Sequence, residues 1–197
     1  MSFLLGLTGS IGMGKSTTAA LFAELGCALW SADDAVHRLY AKGGAAVAPL
    51  AEAFPAALVD GAIDRGILKD IIAADPTALK RIEGIVHPLV GADREAFKAN
   101  ATADIIVLDI PLLYETGGEG RVDAVAVVSV DEETQEQRVL ARGTMTREQF
   151  LLIKSKQVPD AEKRARADYV IVTDTLDHAR AQVQDVVADI RRKIADA

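Results

Sequence analysis

Cysteine is nearly absent from this chain of 197 residues: Cys27 is the only one. No intrachain disulfide can form, which fits a reducing compartment and gives the expectation of a cytoplasmic protein. Cys27 lies in an apolar run and reads as a small core residue. Long hydrophobic runs are missing as well. No stretch approaches the ~20 apolar residues of a membrane span. The first residues lack the basic region and the apolar length of a secretory signal. No membrane partner is expected. Positive charge is in deficit, with a formal net charge of −7, which argues against a general nucleic-acid binder. Histidine and cysteine are nowhere spaced as metal ligands.

What is present begins almost at once. Gly9-Ser10-Ile11-Gly12-Met13-Gly14-Lys15-Ser16 is a complete G-x-x-x-x-G-K-[ST] phosphate-binding loop. Its glycines let the backbone wrap a polyphosphate, Lys15 supplies a cation, and the Ser16 hydroxyl is suited to Mg²⁺. Phe3 to Thr8 reads as a short buried strand before it and Thr17 to Leu25 as a helix after it. A phosphate there meets unpaired N–H groups and the positive end of a helix dipole. Ile11, Gly12, Met13, Gly14, Lys15, Ser16 and Thr17 are the expected nucleotide contacts.

The other apolar runs are Cys27–Ser31, Ile105–Asp109, Ala124–Val130 and Tyr169–Thr173. They are continuous rather than alternating, as in a parallel sheet buried on both faces. Helical stretches separate them. In the last, Val183, Val186, Val187, Ile190 and Ile194 form one stripe, with Asp174 or Thr175 as its cap. The expectation is a single α/β domain over 1–197, a P-loop NTPase fold with a five-stranded parallel sheet flanked by helices. Its core would comprise about 1–31, 104–142 and 167–197. Residues 32–103 exceed a crossover helix and read as a mostly helical acceptor-binding lobe. Residues 143–166 read as a lid, with Gly143 as hinge and Pro159 interrupting the helical pattern. Residues 138–166 hold eight basic and three acidic side chains, a balance suited to closing over polyphosphate.

Ligands of such sheets gather at the carboxyl ends of the strands. Asp33 stands at that edge, as a proton acceptor for an attacking hydroxyl or, equally, as a helix N-cap shared with Asp34. Asp109 ends an apolar strand, the position of a metal-organising carboxylate. Glu115, taken alone, reads as a surface residue. His87-Pro88 interrupts a long helical stretch, and a histidine there reads as packed or capping more readily than catalytic. Arg142 and the lid bases are candidates for a cationic clamp on the transferring phosphoryl group. A GTPase is excluded, because the only asparagine, Asn100, is followed by Ala101 and no Asn-Lys-x-Asp element exists. A small-molecule kinase fits best. Its rivals are a kinase of a nucleoside monophosphate or a sugar acid, and a nucleotide-dependent regulatory ATPase.

Over nearly its whole length the chain resembles the dephospho-coenzyme A kinases. Leu7 to Thr17 is similar to L-T-G-G-I-G-S-G-K-S-T, and Ala32-Asp33 with His37 resembles D-A-D-x-x-x-H. Ile63-Asp64-Arg65 with Leu68 resembles L-D-R-x-x-L, and His87-Pro88-Leu89-Val90 resembles H-P-x-I. Pro111-Leu112-Leu113-x-Glu115 matches P-L-L-x-E. Gln135, Arg138 and Arg142 resemble Q-x-x-R-x-x-x-R, Gln157 matches a lid glutamine, and Ala167-Asp168 through Ile171 resembles A-D-x-V-I. The resemblance implies phosphorylation of the ribose 3′-hydroxyl of dephospho-coenzyme A by ATP; Mg²⁺ is expected with the nucleotide, and a monomer or small homo-oligomer is expected. It implies that Asp33 is the general base and that Thr8, Arg65, His87 and Glu115 lie in or near the acceptor pocket. Lys15 and Arg142 would act on the nucleotide side, with Ser16, and with it Asp109, toward Mg²⁺. Four departures stand out. Ser10 and Met13 fill variable loop positions, Ser31 replaces the first Asp of D-A-D, and Leu152 stands where many relatives have Arg. Thr173 replaces an Asn linked to adenine recognition.

Overall fold

The computed structural model describes residues 2–196. In chain order the elements are β1 (Phe3–Thr8), α1 (Lys15–Glu24), β2 (Ala28–Ser31), α2 (Ala32–Tyr40), α3 (Val47–Ala53), β3 (Leu58–Val59), β4 (Ala62–Ile63), α4 (Arg65–Ala74), α5 (Thr77–Asn100), β5 (Ile105–Asp109), β6 (Ala124–Ser129), α6 (Glu132–Ala141), α7 (Arg147–Ser155), α8 (Asp160–Arg166), β7 (Tyr169–Val172) and α9 (Leu176–Ala195). The five expected strands form one sheet in the order β2-β5-β1-β6-β7. The pairings are parallel, with Leu5 of β1 opposite Val107 of β5 on one side and Ala124 of β6 on the other. Every residue of β5 and β6 is buried, which is why these strands carry unbroken apolar runs. Parallel strands align their carboxyl ends, so Thr8, Asp109, Ser129 and Val172 share one edge.

The chain divides into two units, residues 1–29 with 101–197, and residues 30–100. In the first, Ala19, Leu21 and Phe22 of α1 join Val183, Val186, Val187 and Ile190 of α9 in one core with Leu5, Leu7, Ile105, Val107 and Ala126 of the sheet. Ile194 is 36 % exposed, so the stripe on α9 ends one turn earlier than its periodicity predicts. Thr175, not Asp174, caps α9, accepting the His178 N–H at 3.2 Å. Cys27 is buried in this core, and desolvation pushes its thiol up to about 11; it is a packing residue.

The second unit has its own core of Leu39, Leu50, Phe54, Ile63, Leu68, Ile82 and Val86. It is helical as expected except for the antiparallel hairpin β3–β4. Asp60 and Gly61 both adopt positive φ, 51° and 83°. A two-residue turn of that hand matches the twist of paired strands, and Asp-Gly is its favoured sequence. His87-Pro88 does not interrupt the helix: α5 runs through Pro88 without a break. Proline removes one backbone hydrogen bond and crowds the carbonyl four residues back. That residue is Gly84, exposed and with no atom within 4 Å of a notional Cβ.

Candidate active site

The phosphate loop is braced by four segments of its own unit: the ends of β6 and β7, α6, and the stretch between α7 and α8. Met13, a variable position by motif, is 2 % exposed. Its Sδ accepts the Val130 N–H at 3.2 Å, and its carbonyl accepts the Thr173 hydroxyl at 2.7 Å. Arg138 of α6 donates to the Thr173 hydroxyl at 3.0 Å and to its carbonyl at 2.6 Å. Thr173, 7 % exposed, is thus engaged with the back of the loop. Ile11 is held at both ends of its backbone. Its carbonyl accepts Gln135 Nε2 at 2.7 Å and its N–H donates to Gln157 Oε1 at 3.2 Å. Gly14 caps α1 in the left-handed region, φ 88°, with no side-chain cap. The first-turn N–H groups are therefore not consumed by a capping side chain and remain suited to an anion.

Gly9 cannot carry a side chain without a shift. A Cβ there would stand 2.3 Å from Val128 Cγ2 and 2.9 Å from the Val128 carbonyl. Overpacking of this kind costs about 1–3 kcal/mol, and about 2–4 °C of Tm per kcal/mol is expected at this size. Gly9→Ala should lower Tm by roughly 2–12 °C; an unchanged thermal midpoint would show that β6 yields at no cost.

Lys15 forms an ion pair with Asp109 Oδ1 at the end of β5. Their side chains are only 15 % and 9 % exposed, so this pair sits in the sheltered floor of the loop. Ser16 and Thr17 are exposed on the first turn of α1. Thr8 is fully buried and donates to the Pro111 carbonyl at 3.1 Å. It shapes the turn after β5 rather than offering an exposed side chain.

In the second unit, Asp33 is exposed in the first turn of α2. The capping alternative falls, because Ser31 is the N-cap and its hydroxyl accepts the Asp34 N–H at 3.2 Å. The Ser31 departure thus supplies the cap and leaves the Asp33 carboxylate to other work. Asp93 of α5 accepts the Trp30 indole N–H at 2.7 Å and Arg38 at 2.6 Å, fixing α2 on either side of Asp33. Burial pushes the Asp93 carboxyl up, but the hydrogen bonds from Arg38 and Trp30 outweigh it and hold the group below its usual range. Arg65 opens α4 and stacks over the Tyr40 ring at 5.7 Å. His87 is exposed in mid-helix, neither packed nor capping.

The basic segment is less free than its composition implies. Arg147 pairs with Glu136, Lys154 with Glu132, and Arg166 with Glu119 and Glu162. Lys154 is thus paired with a residue of α6. Among the described residues, Arg142, Lys156 and Arg164 carry no side-chain hydrogen bond or ion pair. Glu115 is no surface residue. Its side chain is 14 % exposed and pairs with Lys163, which is fully buried. Burial pushes the Glu115 carboxyl up, yet the ammonium of Lys163 beside it and the hydrogen bond from the Val158 N–H prevail and lower it. A cleft of about 590 Å³ adjoins the loop, lined by Ser10, Gln135, Gln157, Asp160 and Arg164 among others. Gln135 and Gln157 lay within the motifs but were not among the expected site residues. Their signal was a polar side chain at a fixed offset from Arg138 or from the lid proline.

A phosphate loop between the first strand and helix of a parallel sheet, with a lysine–aspartate pair at its floor, defines a P-loop nucleotide-binding protein. The chain belongs to the dephospho-CoA kinase family, whose model matches residues 3–178. It is 68 % identical to the dephospho-CoA kinase of Ruegeria pomeroyi over 97 % of each chain. The crystal structure of TT1252 from Thermus thermophilus superposes with a TM-score of 0.84 at 33 % identity, covering 95 % of this chain and 97 % of the other. Dephospho-CoA kinase from Campylobacter jejuni superposes with a TM-score of 0.71 at 25 % identity, covering 98 % and 99 %.

Proposed function

We propose that the enzyme transfers the γ-phosphoryl group of ATP to the ribose 3′-hydroxyl of dephospho-coenzyme A, giving coenzyme A and ADP. The observation that carries this reading is the intact, braced phosphate loop with Lys15 at its floor, in a chain of this family. The 3′-oxygen attacks the γ-phosphorus while its proton passes to the Asp33 carboxylate. The bond from the γ-phosphorus to the β–γ bridging oxygen breaks, and that oxygen leaves with ADP. Lys15 and the loop N–H groups hold the β- and γ-phosphates, and Arg142 approaches from the end of α6. Positioning and charge neutralisation dominate, since phosphoryl transfer asks little covalent chemistry of a protein. Arg65 and His87, both exposed in the second unit, are offered as acceptor contacts, and residues 143–166 as a lid that excludes water.

Among the described residues no group of three or more His, Cys, Asp or Glu is assembled to hold a metal. Mg²⁺ binds through one or two protein oxygens, phosphates and water, and Ser16 and Asp109 offer such oxygens by the loop. Ser16 Oγ and the Asp109 carboxylate would hold it, and the ion would neutralise charge on the β- and γ-phosphates.

Mass spectrometry of dephospho-coenzyme A after incubation with the protein, ATP and Mg²⁺ tests the reading. One added phosphate at the 3′ position is expected. Phosphate appearing instead on a nucleoside monophosphate or sugar acid would overturn the acceptor. Slow hydrolysis unmoved by any acceptor would favour a regulatory ATPase.

A further inference from the structure

Lys163 is the buried member of a short helix whose Glu162, Arg164 and Arg166 are exposed. Its Nζ lies 2.8 Å from Glu115 Oε1. The same oxygen accepts the Val158 N–H at 2.9 Å. Val158 directly follows Gln157, whose Oε1 accepts the Ile11 N–H of the phosphate loop. A continuous set of contacts therefore runs from the loop after β5, through the end of the basic segment, to the donor site. A buried ion pair contributes little net stability over an apolar pair of the same volume, and the best-attested use of such a pair is to fix one arrangement. Here the arrangement fixed is the backbone at Val158. A glutamine side chain has several rotatable bonds, and its hold on Ile11 depends on where its own backbone is pinned.

We propose that Glu115 and Lys163 are positioning residues for the donor site: by pinning Val158 they let Gln157 brace Ile11, so that the phosphate loop keeps its ATP-receiving shape. This assigns Glu115 to the nucleotide side, away from the acceptor contact that family resemblance implies. The inference rests on the kinase reading above.

The test compares Gln157→Met, Glu115→Gln and the double variant. The readouts are KM for each substrate, direct titration with a fluorescent ATP analogue, and Tm. Gln157→Met is expected to fold normally, with Tm within about 2 °C. Loss of one hydrogen bond should raise the ATP KM and the analogue Kd by about 3–10-fold, with the dephospho-coenzyme A KM within about twofold. Glu115→Gln should show the same ATP-selective defect. The double variant should be no worse than the poorer single one, since both act through one contact. An unchanged analogue Kd in Gln157→Met would overturn the proposal even if Glu115→Gln fails to fold. So would a selective rise in the acceptor KM in Glu115→Gln, or multiplication of the two defects. Failure of the kinase reading is distinguished by the unmodified protein, which would then bind the analogue without turning over dephospho-coenzyme A.

Discussion

Replacing Asp33 by asparagine is expected to lower turnover by about 10²–10⁴-fold, the range for loss of a general base. The substitution is clean because the local structure does not depend on the Asp33 carboxylate. Ser31 caps α2, and Trp30 and Arg38 are held by Asp93. Asparagine keeps size and polarity while removing the ability to take a proton. Exposed positions of this kind change stability within about 0.5 kcal/mol, so Tm should hold. Asp34→Asn, one residue on and also exposed, is the matched control and should retain near-normal turnover. A folded Asp33→Asn protein with normal kcat would remove Asp33 from the chemistry.

Lys15→Met is expected to reduce kcat by about 10²–10³-fold, the cost of losing one preorganised charge on the developing phosphoryl group. It should lower Tm as well, because Asp109 loses a cation at a position only 9 % exposed on its side chain and breaking a sheltered pair is destabilising. The two effects are compared in the double variant Lys15→Met, Asp109→Asn, with Asp109→Asn alone as the control for loss of the Mg²⁺ contact. Removing the carboxylate charge should recover much of the Tm while turnover stays low. Recovery of turnover together with Tm would mean that Lys15 serves the fold and not the phosphates.

All five sheet strands were legible as short continuous apolar runs between helical stretches, which burial on both faces explains for β5 and β6. The phosphate loop was legible because its chemistry is local and its spacing fixed. The hairpin of the second unit was missed although Asp60-Gly61 announces it; its strands are two residues each, too short to show a period of two. Pro88 misled because helix-breaking is a local tendency, whereas packing of Ile82 and Val86 into the unit's core holds α5 together. The partnership of Glu115 and Lys163 was invisible for another reason. The residues lie far apart in sequence, and Lys163 sits in a charged stretch that reads as a solvated face. Long-range pairing overrides composition, which is also why much of the basic segment proves occupied by carboxylates.

The contact between Trp30 and Asp93 gives the protein an optical property. Trp30 is the only tryptophan, it is 2 % exposed, and its indole N–H is held by a carboxylate. Ultraviolet excitation beyond the tyrosine band therefore addresses a single chromophore, three residues before Asp33. Its emission reports the contact of the end of β2 with Asp93 of α5 with no label attached, and a red shift marks exposure of the indole just ahead of the helix bearing Asp33.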